Sequence, residues 1–208
     1  MTHSDTVKSG QSRAPGPSSW LVDSLVGAPG VMVAFIWGFA EGTFFFLVPD
    51  LLVSLVAILR PRHAWRHILA AIAGSVIAGM LLFNWSIHDA RTARATVARV
   101  PFVKASMFAS VEADFRKYGL GAVFLGPLSG TPYKIFAVEA PAFVGEAAFL
   151  GATAPARAER FVCVWAGFAF VGNLLRRWLR RTDAQLAIRY AIIWVIFYSF
   201  YWGMILFR

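Results

Sequence analysis

The sequence predicts an all-α integral membrane protein, and three observations carry that prediction. Of its 208 residues, 58% are hydrophobic and 15% aromatic, with a mean hydropathy of +0.61, where soluble domains hold about 45–50% apolar residues. The charged residues, 15% of the chain, are clustered and leave long apolar tracts crossed by only one or two ionisable groups. Two of those tracts are broken internally by Pro and Gly, so neither reads as a plain span. The expected architecture is two re-entrant helical hairpins, about three transmembrane helices, and interfacial amphipathic helices.

Charge and cysteine narrow the partners. The net charge of +9 comes from Lys and Arg at the edges of apolar segments, where anionic lipid headgroups lie, so membrane lipids are the expected partners and nucleic acid is not. Cys163 is the single cysteine, which excludes an intrachain disulfide or a cysteine-based metal site. His63 and His67 have metal-compatible spacing but sit in a basic loop beside Trp65; no metal and no cofactor is expected.

Residues 1–19, rich in Ser, Pro and Gly, lack the pattern of a signal peptide and read as a disordered tail ahead of a single membrane domain, 20–208. The first apolar tract, 30–59, would be about 45 Å long as one helix, against a hydrocarbon core of about 30 Å. Pro49 breaks it and biases Val48 away from helix, while Asp50 is an N-cap type that restarts one. Because Arg60, Pro61, Arg62 and Arg66 follow directly, 30–59 reads as a hairpin that enters and leaves on one side.

Residues 67–87 read as a conventional span whose small residues, Ala70, Ala71, Ala73, Gly74, Ala78 and Gly79, form a face for close helix packing. Residues 88–117 alternate basic residues with short apolar groups and read as surface-lying helices. The second broken tract, 118–150, contains Gly126-Pro127, Gly130-Thr131-Pro132 and Pro141. Thr131 reads as an N-cap with Pro132 in the first helical position, so a second hairpin turns near 127–131. A span at about 160–175, the basic block Arg176, Arg177, Arg180 and Arg181, and a final aromatic span at 186–207 complete the chain. Trp20, Trp85, Trp178, Tyr201 and Trp202 read as interface anchors.

A broken hairpin followed by a small-residue span thus occurs twice, as repeat 1 (about 30–87) and repeat 2 (about 118–175), around the interfacial segment 88–117. Paired interrupted segments in two halves point to a transporter site. Glu41 and Asp50 flank the first break and Lys134 follows the second; isolated charges there would cost several kcal/mol in hydrocarbon, so they need partners. Half-helix starts near Asp50 and Thr131 would aim N–H groups and positive dipole ends at an anion. The chemistry on offer is anion binding with titratable carboxylates, and protons are possible co-substrates. Glu139 is a further candidate for the same cavity, and Glu146 a weaker one. Arg157 and Arg160, next to a span start, read first as flanking positive charge.

The stretches Glu41-Gly42-Thr43 through Val48-Pro49-Asp50, and Arg116-Lys117-Tyr118-Gly119 with Gly130-Thr131-Pro132-Tyr133-Lys134-Ile135-Phe136, resemble the DedA/VTT (SNARE-associated Golgi protein) superfamily, in particular its YqaA-like branch. Ala156-Arg157-Ala158-Glu159-Arg160-Phe161 is similar to the arginine-bearing segment of that branch, which brings Arg157 and Arg160 into the candidate site. The resemblance covers about residues 30–175. It implies two opposed re-entrant hairpins, lipid translocation by scrambling or flipping, and a place in the bacterial inner membrane. The sequence departs from the main bacterial pattern in having no Arg at 127–131, which weighs against a polyprenyl-phosphate substrate.

Two functional readings stand: a transporter of phospholipid or other lipid-phosphate headgroups with proton coupling, and an ion- or proton-coupled transporter of small anions. No nucleophile paired with a base and no metal cluster stands out, so an enzyme is not expected. Placing the blocks at 60–66 and 176–181 in the cytoplasm opens the first hairpin inward and the second outward. The basic segment 88–117 then falls outside, against the positive-inside tendency.

Overall fold

The computed structural model describes residues 17–179 and 182–206. The expectations for 1–16, Arg180, Arg181 and the side chains of Tyr201 and Trp202 fall outside the described residues. Among these, every regular element is helical: α1 (Pro17–Val26), α2 (Ala28–Thr43), α3 (Asp50–Leu59), α4 (Ala64–Val97), α5 (Ala105–Tyr118), α6 (Ala122–Ser129), α7 (Tyr133–Glu139), α8 (Glu146–Leu179) and α9 (Asp183–Leu206). Short 3-10 turns at Gly119–Gly121 and Ala140–Ala142 join α5 to α6 and follow α7.

Helix α4 and most of α8 (Glu146–Trp178) are long and apolar enough to cross a membrane, and they contain the expected spans 67–87 and 160–175. The third candidate is not the expected one. Helices α1 and α2 together meet the same length and composition, joined at a 52° bend where Gly27 is extended and Pro29 sits in the first turn of α2. The described apolar part of α9, Gln185–Phe200, is shorter than a span. Large apolar side chains on α8 and α9, among them Phe170, Trp178, Ile193 and Phe200, are exposed. A surface of this kind suits lipid rather than water.

Both broken tracts are broken in the structure, with different boundaries. Helix α3 starts at Asp50, but Pro49 occupies the cap position and the Asp50 carboxylate makes no capping bond; an arginine takes it instead. In the second tract Pro132, with extended ψ, is the cap and α7 starts at Tyr133. The expected Thr131 cap is therefore one residue early. The expected arm to Leu150 ends sooner, because α8 begins at Glu146 and runs for 34 residues through Pro155. Residues 88–97 continue α4 across a kink at Asp89 (φ −151°, ψ 79°), whose Oδ1 accepts the Thr92 N–H at 3.0 Å and caps the outer segment. The helix starting at Pro17 also takes in the last residues of the stretch expected to be tail.

The small-residue face of α4 finds its partner in α2, the most extensive helix pair in the structure. The backbones cross so closely that a Cβ on Gly74 would lie 2.2 Å from the Phe35 carbonyl oxygen, and one on Gly38 2.2 Å from that of Ala71. The second legs of the two broken pairs exchange partners: α3 packs mainly on α8, and α7 mainly on α4. Helix α7 is buried along its whole length, within an aromatic core that includes Phe83, Phe108, Phe115 and Phe149. A buried helix end needs hydrogen-bond partners, and Ser86 Oγ donates to the Val138 carbonyl at 2.6 Å.

Gly74→Ala is expected to cost about 1–3 kcal/mol through forced separation of α2 and α4, lowering the unfolding temperature in detergent. Gly167→Ala, inside α8 on a surface where a Cβ meets nothing within 4 Å, should not lower that temperature. Equal behaviour of the two variants would contradict the close crossing.

Candidate functional site

The site forms where the two breaks meet. The chain from Phe44 to Pro49 is not helical, and Trp37 Nε1 holds it by donating to the Leu47 carbonyl at 2.9 Å. From the second tract, Lys134 Nζ donates to the Phe45 carbonyl at 3.1 Å. Lys134 is 2% exposed and, among the described residues, has no carboxylate within ion-pair distance.

Glu41 and Asp50 bracket the first break, and α8 answers both. Arg157 Nη2 donates to Glu41 Oε2. Arg160 donates from Nε to Asp50 Oδ2 at 2.9 Å, with a second bond from Nη2 to the same oxygen. Residues three apart share a helix face, so one stretch of α8 neutralises both acids. The reading of these arginines as flanking charge is corrected: they lie well inside α8, and Arg157 is 4% exposed. Its guanidinium lies between the rings of Tyr133 and Phe161, 5.4 and 5.2 Å from their centroids. Tyr133 is fixed in turn by Thr153, hydroxyl to hydroxyl at 2.9 Å. Among the described residues, two buried polar atoms, Arg157 Nε and Asp50 Oδ1, have no hydrogen-bond partner.

Beside these pairs lies a cavity of about 920 Å³, lined by Glu41, Thr131, Lys134, Arg157 and Arg160 together with Phe46, Val48, Met107, Phe136 and Ala156. Five of the seven expected site residues therefore share one cavity, and Asp50 sits behind it on Arg160. Glu139 does not join them. Helix α7 carries it to its far end, where Arg94 Nη1 lies 3.2 Å from its carboxylate and also binds Glu112 at 2.7 Å. Glu146 accepts from Asn84 Nδ2 at 2.6 Å, likewise away from the cavity.

The expected N–H groups at the half-helix starts are partly engaged. Leu52 and Val53 donate to the Pro49 carbonyl at 3.1 and 3.2 Å, and Ile135 donates to that of Pro132 at 3.0 Å. The cavity lining carries the cationic side chains of Lys104, Lys134, Arg157 and Arg160. Tyr133 and Lys104, also in the lining, were not singled out from the sequence. Tyr133 adjoins Lys134 and was within reach of that reading, whereas Lys104 looked like one basic residue among several in 88–117.

No family model, curated protein or solved structure matches the chain.

Removing one partner of a buried ion pair leaves the other charge uncompensated, at roughly 3–5 kcal/mol. Arg157→Gln is expected to destabilise the protein by that order in a detergent melt. The double variant Glu41→Gln/Arg157→Gln should recover most of the loss. A single variant as stable as the parent would show that the pair is solvated.

Proposed function

We propose that this chain is an integral membrane protein that moves lipids bearing a phosphate headgroup between the two leaflets. The observation that carries the reading is the amphipathic cavity, which sets four cationic side chains, Lys104, Lys134, Arg157 and Arg160, against an apolar and aromatic wall. A small hydrophilic anion has no use for that wall, while a lipid needs both parts. Glu41 offsets Arg157 and Asp50 offsets Arg160, so the charges of Lys134 and Lys104 are left over and favour a net negative ligand.

On this reading the two broken pairs are re-entrant hairpins, whose irregular backbone is tolerated because it lines a cavity. The headgroup phosphate meets Lys134 and takes up the spare donor capacity of Arg157, competing with Glu41 for the guanidinium. The resemblance of residues 30–175 to the DedA/VTT superfamily agrees with this proposal and belongs to it.

The test is loss of fluorescence from labelled phosphatidylglycerol when dithionite is added to liposomes reconstituted with purified protein. Movement well above that in empty liposomes is expected, and Lys134→Met should reduce it by at least about tenfold, the equivalent of 1.4 kcal/mol. Phosphate uptake without lipid movement would replace this reading with small-anion transport.

A second measurement concerns pH. If movement is coupled to protons, lipid transport by the parent should vary between mildly acidic and mildly basic buffer. A parent profile that is already flat removes proton coupling from the proposal.

A further inference from the structure

We propose that Lys104 is an outer phosphate-binding residue at the mouth of the cavity, holding an anionic lipid headgroup before it reaches Lys134; this rests on the lipid reading above. Lys104 lines the cavity yet is exposed. Lys134 lines the same cavity from a buried position and is bonded to the Phe45 carbonyl. One space thus carries two cations at different depths. Among the described residues neither has a carboxylate within ion-pair distance, so each can take a phosphate without first giving up an acid.

The chain that presents Lys104 is held in place at a cost. Phe102 has φ +69°, the one left-handed non-glycine residue among those described. Such strain persists only where surrounding contacts impose it, and it gathers at ligand sites. Here the contact is with the first break, since the Phe102 and Phe46 rings pack edge to face with centroids 5.5 Å apart. Both rings line the cavity. On the other side Lys104 is the extended cap residue of α5, and α5 is anchored by the buried side chains of Phe108, Val111 and Phe115. The turn therefore fixes Lys104 between the aromatic rim and a rooted helix, rather than leaving it on a mobile loop.

A lipid phosphate and inorganic phosphate offer a lysine the same oxyanion, so the experiment must separate them. Binding of short-chain phosphatidylglycerol, short-chain phosphatidylcholine and inorganic phosphate to the purified protein in neutral detergent would be measured by titration calorimetry, for the parent and for Lys104→Gln, Lys104→Glu and Lys104→Arg. The parent is expected to bind phosphatidylglycerol more tightly than phosphatidylcholine. With a cation near a lipid surface worth about fivefold, Lys104→Gln should weaken phosphatidylglycerol by that factor and Lys104→Glu by roughly thirtyfold, with Lys104→Arg close to the parent. Phosphatidylcholine should change little. Unchanged phosphatidylglycerol affinity in Lys104→Glu overturns the proposal. Lys104-dependent binding of inorganic phosphate without binding of either lipid overturns its lipid part. Lys104-dependent lipid binding by a protein that moves no lipid in liposomes upholds the assignment and refutes the transport reading alone.

Discussion

Glu41 and Asp50 are buried on either side of the first break, where a lone carboxylate is untenable, and the placement of α2, α3 and α8 follows from how they are neutralised. Two arginines one helical turn apart on α8 reach both acids, pinning the end of α2 and the start of α3 to one stretch of one helix. Such pairs contribute little net stability, because desolvation offsets the attraction. Their effect is on register. Sliding α8 along α3 by one turn would strand two charges, so the pairs select one arrangement among several that the apolar faces alone would accept.

The exchange of second legs builds the cavity around that anchor. With α3 on α8 and α7 on α4, each broken pair leans on the long helix of the other half, and the two breaks face each other across the space that Lys134 spans to Phe45. The close crossing of α2 and α4 leaves no room for adjustment on one side. The cavity wall on the other side includes Phe197 and Tyr198 of α9.

Polar clasps secure the outer ends of the helices. Asp183 at the start of α9 binds Arg60 at 2.6 Å and Arg176 at 3.0 Å, and Arg176 donates to the Ile58 and Leu59 carbonyls at the end of α3. Tyr190 reaches back to the Leu51 carbonyl at 2.7 Å. At the opposite corner Arg94 joins Glu112 and Glu139 while lying over the Phe108 ring. Apart from that of buried Glu139, these ion pairs are partly exposed and of a type worth about 0–1 kcal/mol each, so they orient helix ends more than they stabilise the fold.

The sequence by itself determined the helical class, the apolar stretches within α4 and α8, both breaks, the small-residue face at 70–79, and Glu41, Asp50 and Lys134 as the charges in need of partners. All of these follow from local chemistry: apolar runs, the missing donor of proline, and the cost of a buried charge are written in consecutive residues. Tertiary structure decided the partners. Arg157 and Arg160 became counter-ions because α3 packs on α8, more than a hundred residues away in sequence. Glu139 was carried to the far end of α7, where it meets Arg94, and Lys104 was brought to the cavity mouth by a turn that Phe46 holds. Pro155 shows the same limit from the other side, since a proline lacks the backbone donor that a helix interior uses and yet is carried inside α8. Which charges meet depends on how helices cross, and crossings are set by packing over the whole molecule, to which no short stretch of sequence has access.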